Sequence, residues 1–291
     1  MKAVVVLISS AILFPLTLLH AEDSYYTKEN ILKFAAYCYA QEDYERAIGE
    51  YLRVAALCRD PKLTDTLLYR IATACLHLSK TTLVRKYCAQ IPVDTSDSLL
   101  AMKARCLGAY SYYAEKRYDS LLAVVADQET TIIDPVLKNR WIQMNIAAFI
   151  KTYRWDDAIA ESEKALKRQG TEAEDSIVQY LYRISRDGKQ LRLKSPWIAG
   201  TLSALVPGSG KVFAGRGWDG AYSFLLVGIM AWQAYEGYVK DGLASARCIT
   251  FGLLGTAFYT GNIYGSVNAA VLCNRSRRAA LAERANVRFD W

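Results

Sequence analysis

The feature that most constrains this chain is a recurrence at thirty-seven residues. Tyr44, Thr81, Tyr118 and Trp155 stand at that spacing, each after a short polar stretch. Nine residues before them stand Ala35, Ala72, Ala109 and Ile146, and six before them Cys38, Cys75, Tyr112 and Phe149. Between these positions apolar residues recur every three or four, which is the helical period, and alternation is rare. A unit of this length holds a pair of helices that cannot bury its apolar face alone, so neighbours must stack. A small residue on the first helix lets the second approach, and the larger residue three positions on fills the gap. Residues from about Lys28 to Asp187 therefore predict stacked helical hairpins in an all-α fold.

The clearest unit is Asp43-Tyr44-Glu45-Arg46-Ala47-Ile48-Gly49-Glu50-Tyr51, closed by Pro61. Trp155-Asp156-Asp157-Ala158-Ile159 is a second, with Ala165-Leu166 further on. Leu83 and Tyr87 fit with a slip of one residue, and Leu121 and Val125 stand for Ala and Tyr in the third unit. This pattern resembles the tetratricopeptide repeat family, whose period is shorter, at about thirty-four residues. The resemblance implies an α-solenoid that binds a protein or peptide partner on its concave surface. Thr171 to Asp187 reads as the polar-faced end of the stack. Thr171 and Glu174 have capping-box spacing, Ile177, Leu181 and Ile184 form one stripe, and Gly188 is a natural stop.

The second constraint is a loss of charge after the basic linker 189–194. Three blocks, Ser195–Gly210, Gly220–Tyr235 and Cys248–Asn274, carry no charged residue. They predict a membrane module of two to three helices over 195–274. The first block reaches about 24 Å as a helix, short of a hydrocarbon core, and Pro207 with its glycines breaks it. The third is long enough to span. Within it Gly261 and Gly265, four residues apart, are read as a close helix contact, as are Gly252 and Gly255. Asn262 and Asn268 suit hydrogen bonds between helices. The turn through Pro207, Gly208, Gly210 and Gly215 resembles small membrane modules of the TM2 type, which implies a membrane location and no chemistry.

Charge adds topology. The formal net charge is +7, and much of it flanks the uncharged blocks, in the linker and in a basic tail at 275–291. Such flanks face anionic lipid or fix orientation, whereas the aromatic-interleaved basic motifs of nucleic-acid binding are absent. Residues 1–21 read as a signal peptide, with Lys2, an apolar core from Ala3 to Leu19, and cleavage after Leu19-His20-Ala21. The repeat domain, 22–188, is then exported to the periplasm. Three crossings place the arginine-rich tail inside; two leave both basic flanks outside.

Chemistry is sparse. Gly208-Ser209-Gly210-Lys211 fails as a phosphate-binding loop, because Leu205 and Val212 stand where a glycine and a hydroxyl are needed. The chain has two histidines, too few for His-based catalysis or a metal set. Asp156, Asp157, Glu161 and Glu163 suit a solvated helix start. The seven cysteines lack CxxC spacing and are expected as buried thiols, or as disulfides if the domain is exported. These observations predict no enzyme and no cofactor. They point to a membrane-tethered scaffold or assembly factor of a bacterial envelope that contacts lipid and a protein partner and is compatible with a homo-oligomer. The alternative is a small transport or insertion component in which residues 195–274 act.

Overall fold

The computed structural model describes residues 26–92, 97–128, 132–168, 172–289 and 291. The expected signal segment and Thr171 of the expected capping box lie outside them. The described residues form thirteen helices and no strand, so the protein is all-α. The chain divides into two compact units. One takes in the described residues up to Thr152, Ala160–Gln179 and Val287–Trp291; the other takes in Tyr153–Ile159 and Tyr180–Asn286.

In the first unit α1 (Lys28–Ala40) and α2 (Tyr44–Leu57) form a hairpin, followed by α3 (Pro61–His77) with α4 (Thr81–Cys88) and α5 (Ser98–Ala114) with α6 (Tyr118–Gln128). Next come α7 (Pro135–Lys151) and α8 (Trp155–Arg168), whose first turn belongs to the second unit. Consecutive helices from α1 to α7 pack on one another, and α3, α5 and α7 also pack in sequence. Each start has a local cause. Thr27, Asp60, Asp97 and Asp134 accept the amides of Asn30, Lys62, Leu100 and Leu137, satisfying donors that a helix leaves open. Pro61 and Pro135 sit in the first turn, where their missing N–H costs nothing.

The thirty-seven-residue period is a backbone period. Glu42, Ser79, Lys116 and Tyr153 have φ of 61°, 57°, 60° and 61°. Each is the left-handed residue that ends the first helix of its hairpin. The amides of Asp43, Lys80 and Arg117 donate back to the carbonyls of Cys38, Cys75 and Tyr112 at about 2.9 Å, the capping pattern of a helix turned by one left-handed residue. None of the four is glycine, although that conformation costs a residue with a Cβ roughly 1–2 kcal/mol.

Side chains keep the same register. Ala47, Val84, Leu121 and Ala158 are fully buried. Val84, rather than Leu83, thus takes the small-residue place of the second unit, and no slip exists. Tyr44 stacks on His77 with ring centres 4.5 Å apart, and Tyr39 meets both edge-on. Tyr51 is buried, and the Arg70 guanidinium donates to its hydroxyl at 3.3 Å. All seven cysteines are free thiols.

The second unit contains α10 (Pro196–Leu205), α11 (Ser209–Phe213), α12 (Gly217–Asp241) and α13 (Ala246–Glu283). It also takes in the second half of α9 (Glu172–Lys189). Gly188 lies inside the last turn of α9, not beyond it, and its bare Cα is the seat of the Trp155 ring; a Cβ there would fall 2.3 Å from that ring. α12 and α13 pack as a hairpin, α10 lies on α13, and α11 touches all three. The core they share is small-residued, with Ala199, Ala214, Ala269 and Ala270 around Phe213.

Here the structure corrects the expectation of membrane-crossing helices. Among the described residues no helix is long and apolar enough to cross a membrane. The first block yields a ten-residue helix, about 15 Å long. The third block is the middle of a 38-residue helix that runs through Arg275, Arg277 and Arg278 without a break. Its uncharged length is diluted by Gly, Asn, Thr and Tyr, which lower hydropathy while adding no charge. The expected basic tail is helical to Glu283, and its last five residues belong to the first unit.

A candidate peptide groove and a glycine-built turn

The face formed by the first helices of the hairpins is not empty. Val287, Phe289 and Trp291 lie against it. The Val287 amide donates to the Tyr113 hydroxyl on α5 at 3.2 Å. Phe289 and Trp291 both pack on Tyr110, with ring centres 5.7 and 5.5 Å away. The Arg140 guanidinium of α7 stands over both rings, at 5.7 and 5.3 Å. Val287 is buried, Arg288 is exposed, and Phe289 and Trp291 are half-buried. Val287 and Phe289 are thus covered where Arg288 between them is exposed, the alternation of an extended segment.

Beyond Trp291 the groove continues as a cleft of about 330 Å³, lined by Ala36, Tyr39, Tyr51, Tyr69, Arg70 and Thr73. Ala36, Thr73 and Tyr110 are one position of successive repeats, each following the small residue of the first helix. Burial pushes the Tyr69 hydroxyl up to about 12. The indole N–H of Trp291 is buried with no partner. The groove is therefore aromatic, cationic at Arg70 and Arg140, and able to accept aromatic side chains by ring and cation–π contacts, each about 0.5–2 kcal/mol.

Each residue expected from the sequence can now be placed. Ala35, Ala72, Ala109, Ala47, Tyr51 and Ala158 are buried. Tyr44, Tyr118 and Trp155 are half-buried at helix starts. These residues build the repeats and do not line the groove, apart from Tyr51. Sequence reasoning missed Tyr110, Tyr113, Arg140, Phe289 and Trp291. The only available signal was the position after each small residue, and it varies from Ala to Thr to Tyr.

In the second unit, Gly208 and Gly215 have φ of +87° and +93°, which glycine adopts freely. A Cβ on Gly208 would lie 2.0 Å from the Gly220 carbonyl oxygen, and one on Gly210 would lie 1.9 Å from that of Ala199. Pro207 precedes them at the end of α10. The Gly210 amide donates to Ser203 Oγ at 2.9 Å, and Ser203 Oγ meets Ser266 Oγ at 2.6 Å. This turn is where backbones touch. Of the contact expected at Gly261 and Gly265 only one side is present: a Cβ on Gly261 would meet nothing within 4 Å among the described residues, whereas one on Gly265 would lie 3.3 Å from Lys211 Cε of α11. Gly252 likewise has open space, and Gly255 has ordinary contact with Met230.

No protein-family model, no curated protein and no solved structure matches this chain.

Proposed function

We propose that the protein is a membrane-associated helical-repeat scaffold that captures an extended aromatic segment of a protein partner in its repeat groove. The observation that carries this reading is the chain's own aromatic pair, Phe289 and Trp291, docked on Tyr110 under Arg140. It acts as a resident ligand that a partner's segment displaces. A tetratricopeptide-like role in partner binding agrees with the thirty-seven-residue register.

The membrane part of the proposal rests on exposed apolar side chains of the second unit. Trp197, Leu205 and Trp218 are 85%, 81% and 90% exposed, and Tyr222, Trp232, Leu253 and Tyr264 are more than half exposed. Patches of this kind mark interaction with lipid or protein, and Trp with Tyr favours the headgroup region. The reading is of a module seated at the bilayer on packed helices, with the repeat unit outside the cytoplasm.

The test is a labelled peptide with the sequence of residues 285–291, added to the full chain and to a Phe289→Ala/Trp291→Ala variant. The variant, its groove vacated, is expected to bind the peptide at least tenfold more tightly than the parent. Equal weak binding to both would remove the groove as a peptide site.

A further inference from the structure

The first hairpin leaves a stacking face uncovered. One repeat beyond Asn30, Phe34 and Tyr37 stand Leu67, Ile71 and Ala74, and one repeat further Ala104, Gly108 and Ser111. Leu67, Ile71, Ala74, Ala104 and Ser111 are buried. What covers these positions is the second helix of the preceding hairpin. Leu67 and Ile71 share one core with Ala47, Tyr51 and Val54 of α2. A Cβ on Gly108 would lie 3.7 Å from Cys88 Cβ of α4, and Arg85 of α4 donates to Ser111 Oγ at 3.2 Å. Among the described residues no helix precedes α1 to take that place. Phe34 is 44% and Tyr37 61% exposed, and Asn30 is exposed beside them. The end of a repeat stack needs a polar outer face, and two exposed rings are the reverse of one.

Two features fix the occupant. Three residues join α2 to α3, a connection short enough to make the two helices antiparallel. The seat is therefore shaped for a helix antiparallel to its owner. The stripe is also reversible. Asn30, Phe34, Tyr37 and Gln41 follow at intervals of four, three and four residues, which keeps them on one face. From either end they read amide, ring, ring, amide. Gln41, the C-cap of α1, is exposed. A two-fold interface requires a surface that complements itself, and this stripe does so when an identical helix is laid against it in the opposite direction.

We propose that α1 is a dimerisation helix, on which a second copy of this chain docks its own α1 antiparallel about a two-fold axis. Phe34 meets Tyr37 of the second copy, and Asn30 meets its Gln41. Each chain thus continues the stack of the other through the interface that the repeats already use. A seat one helix wide is at the small end of specific interfaces, so association belongs to the micromolar range. The inference is independent of what the repeat groove binds.

The test measures the mass of the full chain in detergent by sedimentation across the micromolar range. The parent is expected at twice its 32.6 kDa. Phe34→Glu and Tyr37→Glu each place a carboxylate that must lose its water on pairing, and each is expected to weaken association by roughly tenfold or more. Both side chains are exposed in the single chain, so both variants are expected to keep the parent's helical circular dichroism. A second measurement reads the register. Differently tagged Phe34→Cys and Tyr37→Cys chains are mixed and oxidised, with the parent as control. Because a disulfide needs Cβ atoms about 4 Å apart, the bond between the two variants is expected to form roughly tenfold faster than a bond within either. A parent that stays monomeric across the range overturns the proposal and leaves the face to residues 1–25 or to another protein. A dimer that survives both glutamate substitutions, or disulfides that show no preference for the mixed pair, overturns it as well.

Discussion

Replacing Gly210 by alanine tests whether the second unit is held together at the glycine turn. The new Cβ would lie 1.9 Å from the Ala199 carbonyl oxygen and 2.6 Å from Ser203 Oγ. Ordinary contact begins near 3.4 Å, so α10 and α11 must part by about 1.5 Å at a backbone atom that cannot rotate away. Overpacking of this kind costs about 1–3 kcal/mol. The separation also breaks the 2.9 Å bond from Gly210 N to Ser203 Oγ and strains the buried Ser203–Ser266 pair, a further 1–3 kcal/mol or so. Alanine's better helix propensity returns about 1 kcal/mol. The net loss is about 3 kcal/mol, or a hundredfold in the local opening equilibrium. Amide hydrogen exchange followed by mass spectrometry over residues 196–274 reads this directly. Gly261→Ala is the partner experiment. Its methyl enters open space, so it is expected to slow exchange slightly through helix propensity. If Gly210→Ala leaves exchange unchanged, or Gly261→Ala accelerates it to the same degree, the assignment of the close contact is wrong.

Three further outcomes follow from the repeat unit. Asp97→Ala and Asp134→Ala each remove an N-cap acceptor and are expected to cost about 1 kcal/mol, read as a lower urea midpoint. Lys116→Gly relieves a left-handed turn at the expense of unfolded-state entropy, for a net gain of about 0.5 kcal/mol; Lys86→Gly, inside a helix, is expected to lose about 1 kcal/mol in the same urea titration. Burial pushes the Cys88 and Cys106 thiols up to about 12 from an ordinary value near 9. The unfolded chain releases these protons first, so their contribution is complete below about pH 9 and is lost as pH rises toward 12. Stability measured across that window is expected to fall, and Cys106→Ala to flatten the fall.

The repeat was legible because thirty-seven residues separate features with separate causes. Small residues mark close helix approach, and polar turns mark hairpin ends. The second unit was less legible. Absence of charge in Cys248–Asn274 reads as a span when charge is counted, but Asn262, Asn268 and four glycines lower its hydropathy below what crossing requires. Gly261 and Gly265 share the spacing of a contact motif, yet spacing alone does not say which helix faces them. Gly208 and Gly210 do the work because Ala199 and Gly220 lie opposite. The groove was hidden for another reason. Its occupant, Val287–Trp291, is about 180 residues from Tyr110 in sequence, and no local pattern links an extended aromatic segment to a distant helix face.

The most direct measurement of the central claim places a photo-crosslinking phenylalanine analogue at Tyr110 in the full chain in its native membranes. The account predicts that irradiation joins position 110 to the peptide containing Phe289 and Trp291. It also predicts that deleting 287–291 redirects the crosslink to a partner protein. A crosslink to neither, with the variant folded, would show that the first-helix face is not a site for extended aromatic segments.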